Sequence, residues 1–274
     1  MKALLRFLSM KAPAALSLSV SVLFLSCEEV INLDLSGVEN QIVIEGTISE
    51  VYSASRVKLS FAESAFKKSQ PRTATGAVVT IRDDLGNSET LNEIQPGIYA
   101  LTGILGAPGR TYMLTVEFGG QRYSAVSTMP DPMTFDSIQS IPLYYDPQFL
   151  NPVALKYYLS NQPGVEEYCL IKAYQPDDNT VYWTIYSDKY SDGEQVVLDG
   201  PTFFSASSTI VVDLIAVDKA TYDYFYTLRQ ITGDDIEVPD LLAINEYNPK
   251  SNLTNNALGY FSAQAQRTYV LTPR

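Results

Sequence analysis

From Gln41 to Thr128 the chain alternates apolar and polar residues with a period of two, and turn residues punctuate the alternation. RVKLSFAE sets Val57, Leu59 and Phe61 on one side and Lys58 and Ser60 on the other. A strand points successive side chains to opposite faces, so this pattern buries one face against a facing sheet. QIVIEGTI, RVKLSFAE, AVVTIRD, SETL, PGIYALT, RTYMLTVEF and QRYSAVST are seven such segments. DDLGN, with Gly86-Asn87, and the Gly119-Gly120 pair supply turns that need positive φ. Seven short strands with turns between them predict a β-sandwich over residues 41–130.

MPDPMTF, Met129 to Phe135, breaks the pattern. Two prolines within three residues withhold ladder donors and stiffen the chain, which predicts a domain boundary near residue 131. The second half, 131–274, again reads as mainly β, through DSIQSIPLYY, ALKYYLS, EYCLIKAY, VYWTIYSD, EQVVLD, TIVVDLIAV, LGYFSA and RTYVLT. One segment differs. Asp218 precedes KATYDYFYTLRQI, Arg229 lies near its end and Gly233 follows, which predicts one short helix over about 219–231 with Asp218 as N-cap. A helix this aromatic is expected to pack over a sheet. Residues 234–257 read as a long loop, and loops of that length are often functional.

Composition narrows the chemistry. The chain has no histidine, which excludes a Ser-His-Asp triad and any His-ligated zinc site. It also lacks the commonest general base near neutral pH, and we expect no enzymatic activity, no metal and no cofactor. The formal charge of −12 repels phosphate backbones, so nucleic acid is not an expected partner. The 19 tyrosines favour strands and half-buried surfaces.

The N-terminus gives an address. Lys2, Arg6 and Lys11 precede an uncharged segment from Ala14 to Leu25, and Ser26-Cys27 follows. A basic start, about a dozen apolar residues and a small residue before the cut make a secretory signal peptide over 1–26. The apolar run falls short of the roughly 20 residues of a membrane span. A leader ending at Ser26-Cys27 resembles a bacterial lipobox, in which the cysteine thiol is acylated and the chain is cut before it; the alternative is an ordinary signal peptide cut nearby. Residues 27–40 then read as an acidic tether from lipidated Cys27 into the first strand. With Cys27 acylated only Cys169 remains, in an apolar run, where a free cysteine behaves as a small core hydrophobe.

Several segments, in order, resemble a family of Bacteroidota outer-membrane lipoproteins of unknown function, encoded beside TonB-dependent receptors. They are CEEVINLDL, QIVIEGTISE, GAVVTIRDD, GIYALTG, GRTYMLTVEFGGQRYSAVSTMP, TYDYFYTLRQ and NLTNNALGYFSA. QPGVEEYCL departs from the family, whose members commonly carry Asn-Tyr-Tyr after the proline-glycine turn; here Glu167-Tyr168-Cys169 stands there. The resemblance implies an accessory of an energy-coupled importer in nutrient capture or uptake. It implies a partner, an outer-membrane TonB-dependent receptor, and attachment to membrane lipid through acylated Cys27. The first half also looks like the immunoglobulin-like and carboxypeptidase-regulatory-like sandwiches. The rival readings are a free-standing glycan-binding or glycan-cleaving surface lipoprotein and a subunit of an outer-membrane assembly complex.

Further candidates carry a bland reading beside the functional one. Glu28 and Glu29 resemble acidic signals for surface export, or are a solvated tether; the location expected is the outer membrane, with the cell surface favoured over the periplasmic leaflet. Tyr182 and Tyr186 share a strand face and offer rings for stacking a ligand, or fill a sheet. Asn252, Asn255 and Asn256 are candidates for docking on a receptor barrel. Gly259 reads as a strand position where another backbone comes close. Ser137, in Asp136-Ser137-Ile138, resembles a short O-glycosylation pattern. Asp188, Asp192 and Glu194 suggest an oxygen-rich calcium loop, but an acidic hairpin turn is the stronger reading, because the spacing does not match the EF-hand template.

Overall fold

The alternation becomes strands in the computed structural model, which describes residues 41–62, 72–143, 152–178, 180–232 and 248–273. The predicted leader, the tether, Cys27, Glu28 and Glu29 lie outside the described residues, as do residues 234–247 of the predicted loop.

In the first half the strands are β1 (Ile42–Ser49), β2 (Arg56–Phe61), β3 (Val78–Asp83), β4 (Ser88–Thr90), β5 (Asn92–Gln95), β6 (Ile98–Ala100), β7 (Thr111–Phe118) and β8 (Gln121–Thr128). The second half adds β9 (Ser137–Pro142), β10 (Pro152–Ser160), β11 (Tyr168–Tyr174), β12 (Val181–Ser187), β13 (Gln195–Ser205), β14 (Ile210–Ala216) and β15 (Leu258–Leu271). One α-helix, α1 (Lys219–Thr232), is found among the described residues. The fold is mainly β, as the alternation predicts.

The strand pairing departs from two separate domains. β1 pairs in parallel with β15, from Val43 beside Leu258 to Ser49 beside Gln264. This joins the two halves in one eight-stranded sheet of order β12-β11-β14-β15-β1-β2-β6-β5. Two smaller sheets, β4-β3-β7-β8 and β13-β10-β9, complete the layers. The expected boundary near residue 131 is therefore not a linker between independent cores. Met129, Met133 and Phe135 are buried in the same core as Ile44, Leu114, Leu155 and Val212. Backbone bonds fix the segment as well: Met129 N–H donates to the Arg110 carbonyl at 2.9 Å, and Gly109 N–H to the Met129 carbonyl at 2.8 Å. Its prolines still end the ladder of β8, but its apolar side chains hold it inside.

Each strand face has its own role. Val57 and Leu59 of β2, Ile171 and Ala173 of β11, and Val212 and Leu214 of β14 face the shared core. Each fully buried aliphatic side chain contributes about 1.5–3 kcal/mol. The single free cysteine described, Cys169, is one of these core residues, as its apolar context predicts. Burial pushes its thiol pKa up, so the thiol is inert.

Gly259 is what the parallel seam requires. Its φ is +94°, and a Cβ there would lie 2.1 Å from the Ile44 carbonyl oxygen. Only glycine lets β15 come this close to β1.

The opposite face of the large sheet is covered at one end by α1. Leu170, Ile215 and Val217 form a small second cluster with Tyr168, Ile185, Tyr222 and Phe225. Phe225 meets Trp183 edge-on at 5.6 Å between centroids and Tyr260 at 5.0 Å. The helix begins where the sequence predicts: Thr221 N–H donates to Asp218 Oδ1 at 2.9 Å. Ser127 Oγ donates to Asp218 Oδ2 at 2.6 Å, which ties the helix start to the end of β8.

Candidate functional site

The residues singled out in the sequence do not converge on one place. Tyr182 packs against the shared core and meets Phe204 edge-on at 5.9 Å. Tyr186 does likewise, and its hydroxyl donates to Asn161 Oδ1 at 3.0 Å and lies 2.7 Å from Ser191 Oγ. The two rings are half-buried, and Tyr182 also lines a cavity of about 530 Å³ with Trp183 and Arg229. Trp183, on the other face of β12, packs under the helix and not in the sandwich core.

Two of the three asparagines are engaged through their side chains. Asn252 donates through Nδ2 to the Phe261 carbonyl at 2.8 Å and accepts from Phe261 N–H at 3.0 Å, as a neighbouring strand would. Asn255 and Asn256 hold positive φ, 57° and 55°, in a tight turn before β15. Asn255 Nδ2 donates to Gln121 Oε1 at 3.0 Å, and the Asn256 carbonyl accepts from Gln41 Nε2. These contacts bind the turn to the body through the side chains of Asn252 and Asn255 and the backbone of Asn256, whose own side chain is exposed. Ser137 is exposed at the first position of β9.

A different place draws chemistry together. A cleft of about 640 Å³ opens between the turn before β11, the turn between β12 and β13, and the first two turns of α1. Its aromatic wall is Tyr168, Tyr222 and Tyr226. Tyr168 and Tyr222 lie 5.1 Å apart and tilted, and Tyr222 stacks on Tyr226 at 5.8 Å. Tyr190 stands 89% exposed at the rim, with Lys189 Nζ 5.0 Å from its ring centroid.

Four carboxylates share the cleft. Three are engaged. Glu166 Oε2 accepts from the Tyr168 hydroxyl at 2.7 Å, Asp192 Oδ1 from Gly164 N–H at 2.7 Å, and Asp223 pairs with Lys219 at 2.8 and 2.9 Å. Asp188 is the exception. The residue is only 3% exposed, and its Oδ2 has no hydrogen-bond partner among the described residues. Next to it, burial pushes the Glu167 carboxyl up; the negative Asp188 and Asp192 add to this, and Gln162 N–H opposes it. Burial likewise raises the Tyr168 phenol, with Glu166 reinforcing it.

Of the acidic trio read as a hairpin turn, Asp188 and Asp192 line this cleft and Glu194 does not. Among the described residues no cluster of three or more His, Cys, Asp or Glu could hold a metal ion. The cleft escaped the sequence reading because its parts come from three separate segments. The one legible hint was the acidic stretch SDKYSDGE beside an aromatic helix.

A second, smaller groove of about 260 Å³ lies on the outer face of the large sheet, beside Glu45, Arg56, Lys172 and Asp213. Burial lowers the Lys172 ammonium pKa, and the facing Asp213 opposes that. Asp213 Oδ1 accepts from Thr268 Oγ1 at 2.6 Å, and Lys58 pairs with Glu45 at 3.0 Å. Most of its charge is thus balanced internally.

A family model described as a domain of unknown function, DUF4249, matches residues 28–269. A search of the curated proteins finds no match. Among solved structures, a two fibronectin type-III domain segment from chicken tenascin is 11% identical with a TM-score of 0.21, over 65% of this chain and 89% of that one. A cytokine receptor complex is 10% identical with a TM-score of 0.24, over 84% of this chain and 95% of that one. A pullulanase from Anoxybacillus sp. LM18-11, complexed with maltotriose, is 14% identical with a TM-score of 0.21, over 63% of this chain and 24% of that one. Likenesses this low carry no weight for function.

Proposed function

The chain belongs to the DUF4249 family, a domain of unknown function, and on that premise we propose a non-catalytic, lipid-anchored outer-membrane protein that holds a ligand beside a TonB-dependent receptor. The observation that carries the reading is the leader: three basic residues, an uncharged run and Ser26-Cys27, followed at once by Glu28 and Glu29. Acylation of Cys27 supplies the attachment. One acyl chain holds a protein only marginally, at about 0.8 kcal/mol per buried CH₂, so two or more chains make the anchor stable. Among the described residues no helix is long and apolar enough to cross a membrane.

The body fits holding better than turnover. Asp83 and Asp84 both pair with Arg110, and Glu166 is bonded to Tyr168, so these acids serve the structure. With no histidine the remaining acid-base choices are few. The tyrosine cleft also favours the second reading, a free-standing glycan-binding lipoprotein, because aromatic rings stack on sugars.

Metabolic labelling with an alkyne fatty acid and a mild-detergent pull-down test the proposal together. The wild-type protein is expected to take the label and to bring down a large outer-membrane barrel. Cys27→Ser is expected to take none and to lose the membrane fraction. A labelled, membrane-bound protein that brings no barrel would favour the free-standing reading. An unlabelled wild-type protein would remove the anchor altogether.

A further inference from the structure

The tyrosine cleft contains one group that the folded chain leaves without a partner. Asp188 Oδ2 is buried and unbonded, while the other three carboxylates of the cleft are matched. A buried polar group without a hydrogen bond is costly, and a carboxylate more so than a neutral group. An apolar residue would have avoided this cost. The fold keeps instead a carboxylate residue in the lining of a cleft walled by three tyrosines.

The surroundings select the complement. The four lining carboxylates outnumber the two lysines, Lys189 and Lys219, so the cleft is net negative. Lys219 is held by Asp223, and Lys189 sits over the outer Tyr190 ring, so neither is bonded to Asp188. Aromatic faces attract cations through the ring quadrupole, and more strongly where water is excluded. A neutral sugar would stack and donate hydrogen bonds, but would leave the negative charge uncompensated. A quaternary ammonium would compensate the charge, but has no N–H for Asp188 Oδ2. A calcium ion takes six or more oxygens, and no such cluster is found among the described residues.

We infer that the cleft binds a small molecule through a primary ammonium group, with Asp188 as its buried acceptor and Tyr168, Tyr222 and Tyr226 as its aromatic wall. The ammonium donates one N–H to the Asp188 carboxylate and turns its charge toward the rings. The remaining volume, within about 640 Å³, leaves room for a body of sugar size beside it. This deepens the ligand-holding role proposed above and rests on it for its biological purpose. The cleft chemistry itself is measured without any membrane partner.

The test is titration calorimetry on the full-length protein in mild detergent, with matched probes. Glucosamine and glucose differ in the ammonium at one carbon; methylammonium and tetramethylammonium differ in their N–H donors. Glucosamine is expected to bind at least about tenfold more tightly than glucose, a gap of about 1.4 kcal/mol. Methylammonium is expected to bind more tightly than tetramethylammonium. Asp188→Asn keeps the shape and is expected to weaken glucosamine by about tenfold or more, with an unchanged circular dichroism spectrum. Tyr226→Ala, at an exposed ring, is expected to weaken both ammonium probes severalfold. Equal binding of glucose and glucosamine would overturn the inference in favour of a neutral glycan site. Calcium binding that displaces the amines, glucosamine binding unchanged in Asp188→Asn, or no binding by any ammonium probe would each overturn it too. A pull-down without a barrel, alongside intact glucosamine binding, would count against the receptor partner and not against the cleft.

Discussion

The acidic turns of the first half and the acidic cleft of the second use the same residue types to opposite ends. In the first half Glu89 accepts four hydrogen bonds: from Thr102 N–H at 2.7 Å, Thr102 Oγ1 at 3.0 Å, Gly103 N–H at 2.9 Å and Ile104 N–H at 2.7 Å. Glu93 accepts from Gly97 N–H at 2.7 Å and Gly76 N–H at 3.0 Å. Asp83 closes the turn before β4 through Leu85 N–H, Asn87 N–H and Asn87 Nδ2, and meets Arg110 Nη2 at 2.7 Å. Asp188 Oδ2 has no such partner among the described residues. Where free backbone N–H groups converge, a carboxylate is structural. Where rings and other acids surround it, the carboxylate is left for something outside the chain. Acidity alone therefore identifies neither loops nor sites; the count of donors around each oxygen does.

The strongest way to break this contrast is truncation. Glu89→Ala leaves three backbone amides without their acceptor and is expected to lower stability by about 2–3 kcal/mol in urea unfolding. Asp188→Asn removes an unpaired charge and is expected to leave stability unchanged or raise it by up to about 1 kcal/mol. Equal losses from the two variants would erase the distinction.

Acid sharpens it next. Burial pushes the Glu89 carboxyl up, but the amides of Thr102, Ile104 and Gly103 outweigh it, and its pKa falls below the ordinary 4.5. The amides of Gly97 and Gly76 likewise lower Glu93. A carboxyl lowered in the folded state contributes stability that is present above its ordinary value and is lost as pH falls through the lowered one. Glu167 is raised, chiefly by burial, so protonation favours the folded state as pH falls from neutral toward 4.5. Stability is therefore expected to hold or rise on mild acidification and to drop below the ordinary carboxylate range. Glu167→Gln is expected to flatten the rise and leave the drop. A drop that begins near neutral pH would contradict the assignment of both groups.

The smallest expected effect is at the rim. Tyr226→Ala removes a ring 47% exposed and is expected to change stability by less than about 0.5 kcal/mol while it weakens ligand binding. A large stability loss would make Tyr226 a packing residue.

Much of the scaffold was legible. Alternation gave β2 and β3 their inward faces, Asp218 and Arg229 marked the helix, and Gly259 was read as a close backbone approach. The pairing of β1 with β15 was not legible, because period two tells a strand its faces but not its neighbours. That is why a proline-rich segment at Met129–Phe135 read as a boundary between two cores. Tyr182 and Tyr186 were placed on one face correctly. Which face turns inward depends on where α1 lies, and both sides of β12 are covered. The bonds of Asn252 and Asn255 to the body were not legible, because side-chain direction in a turn is invisible in sequence. The tyrosine cleft needs Tyr168, Asp188 and Tyr222 side by side, and only the β11–β12 pairing and the helix seat bring them there.

The most direct measurement is a crystal structure of the full-length protein with glucosamine at saturation. The account predicts its ammonium nitrogen within hydrogen-bond distance of the Asp188 carboxylate, against the rings of Tyr168, Tyr222 and Tyr226. An amine bound elsewhere, or a sugar in the cleft with Asp188 still unbonded, would contradict it.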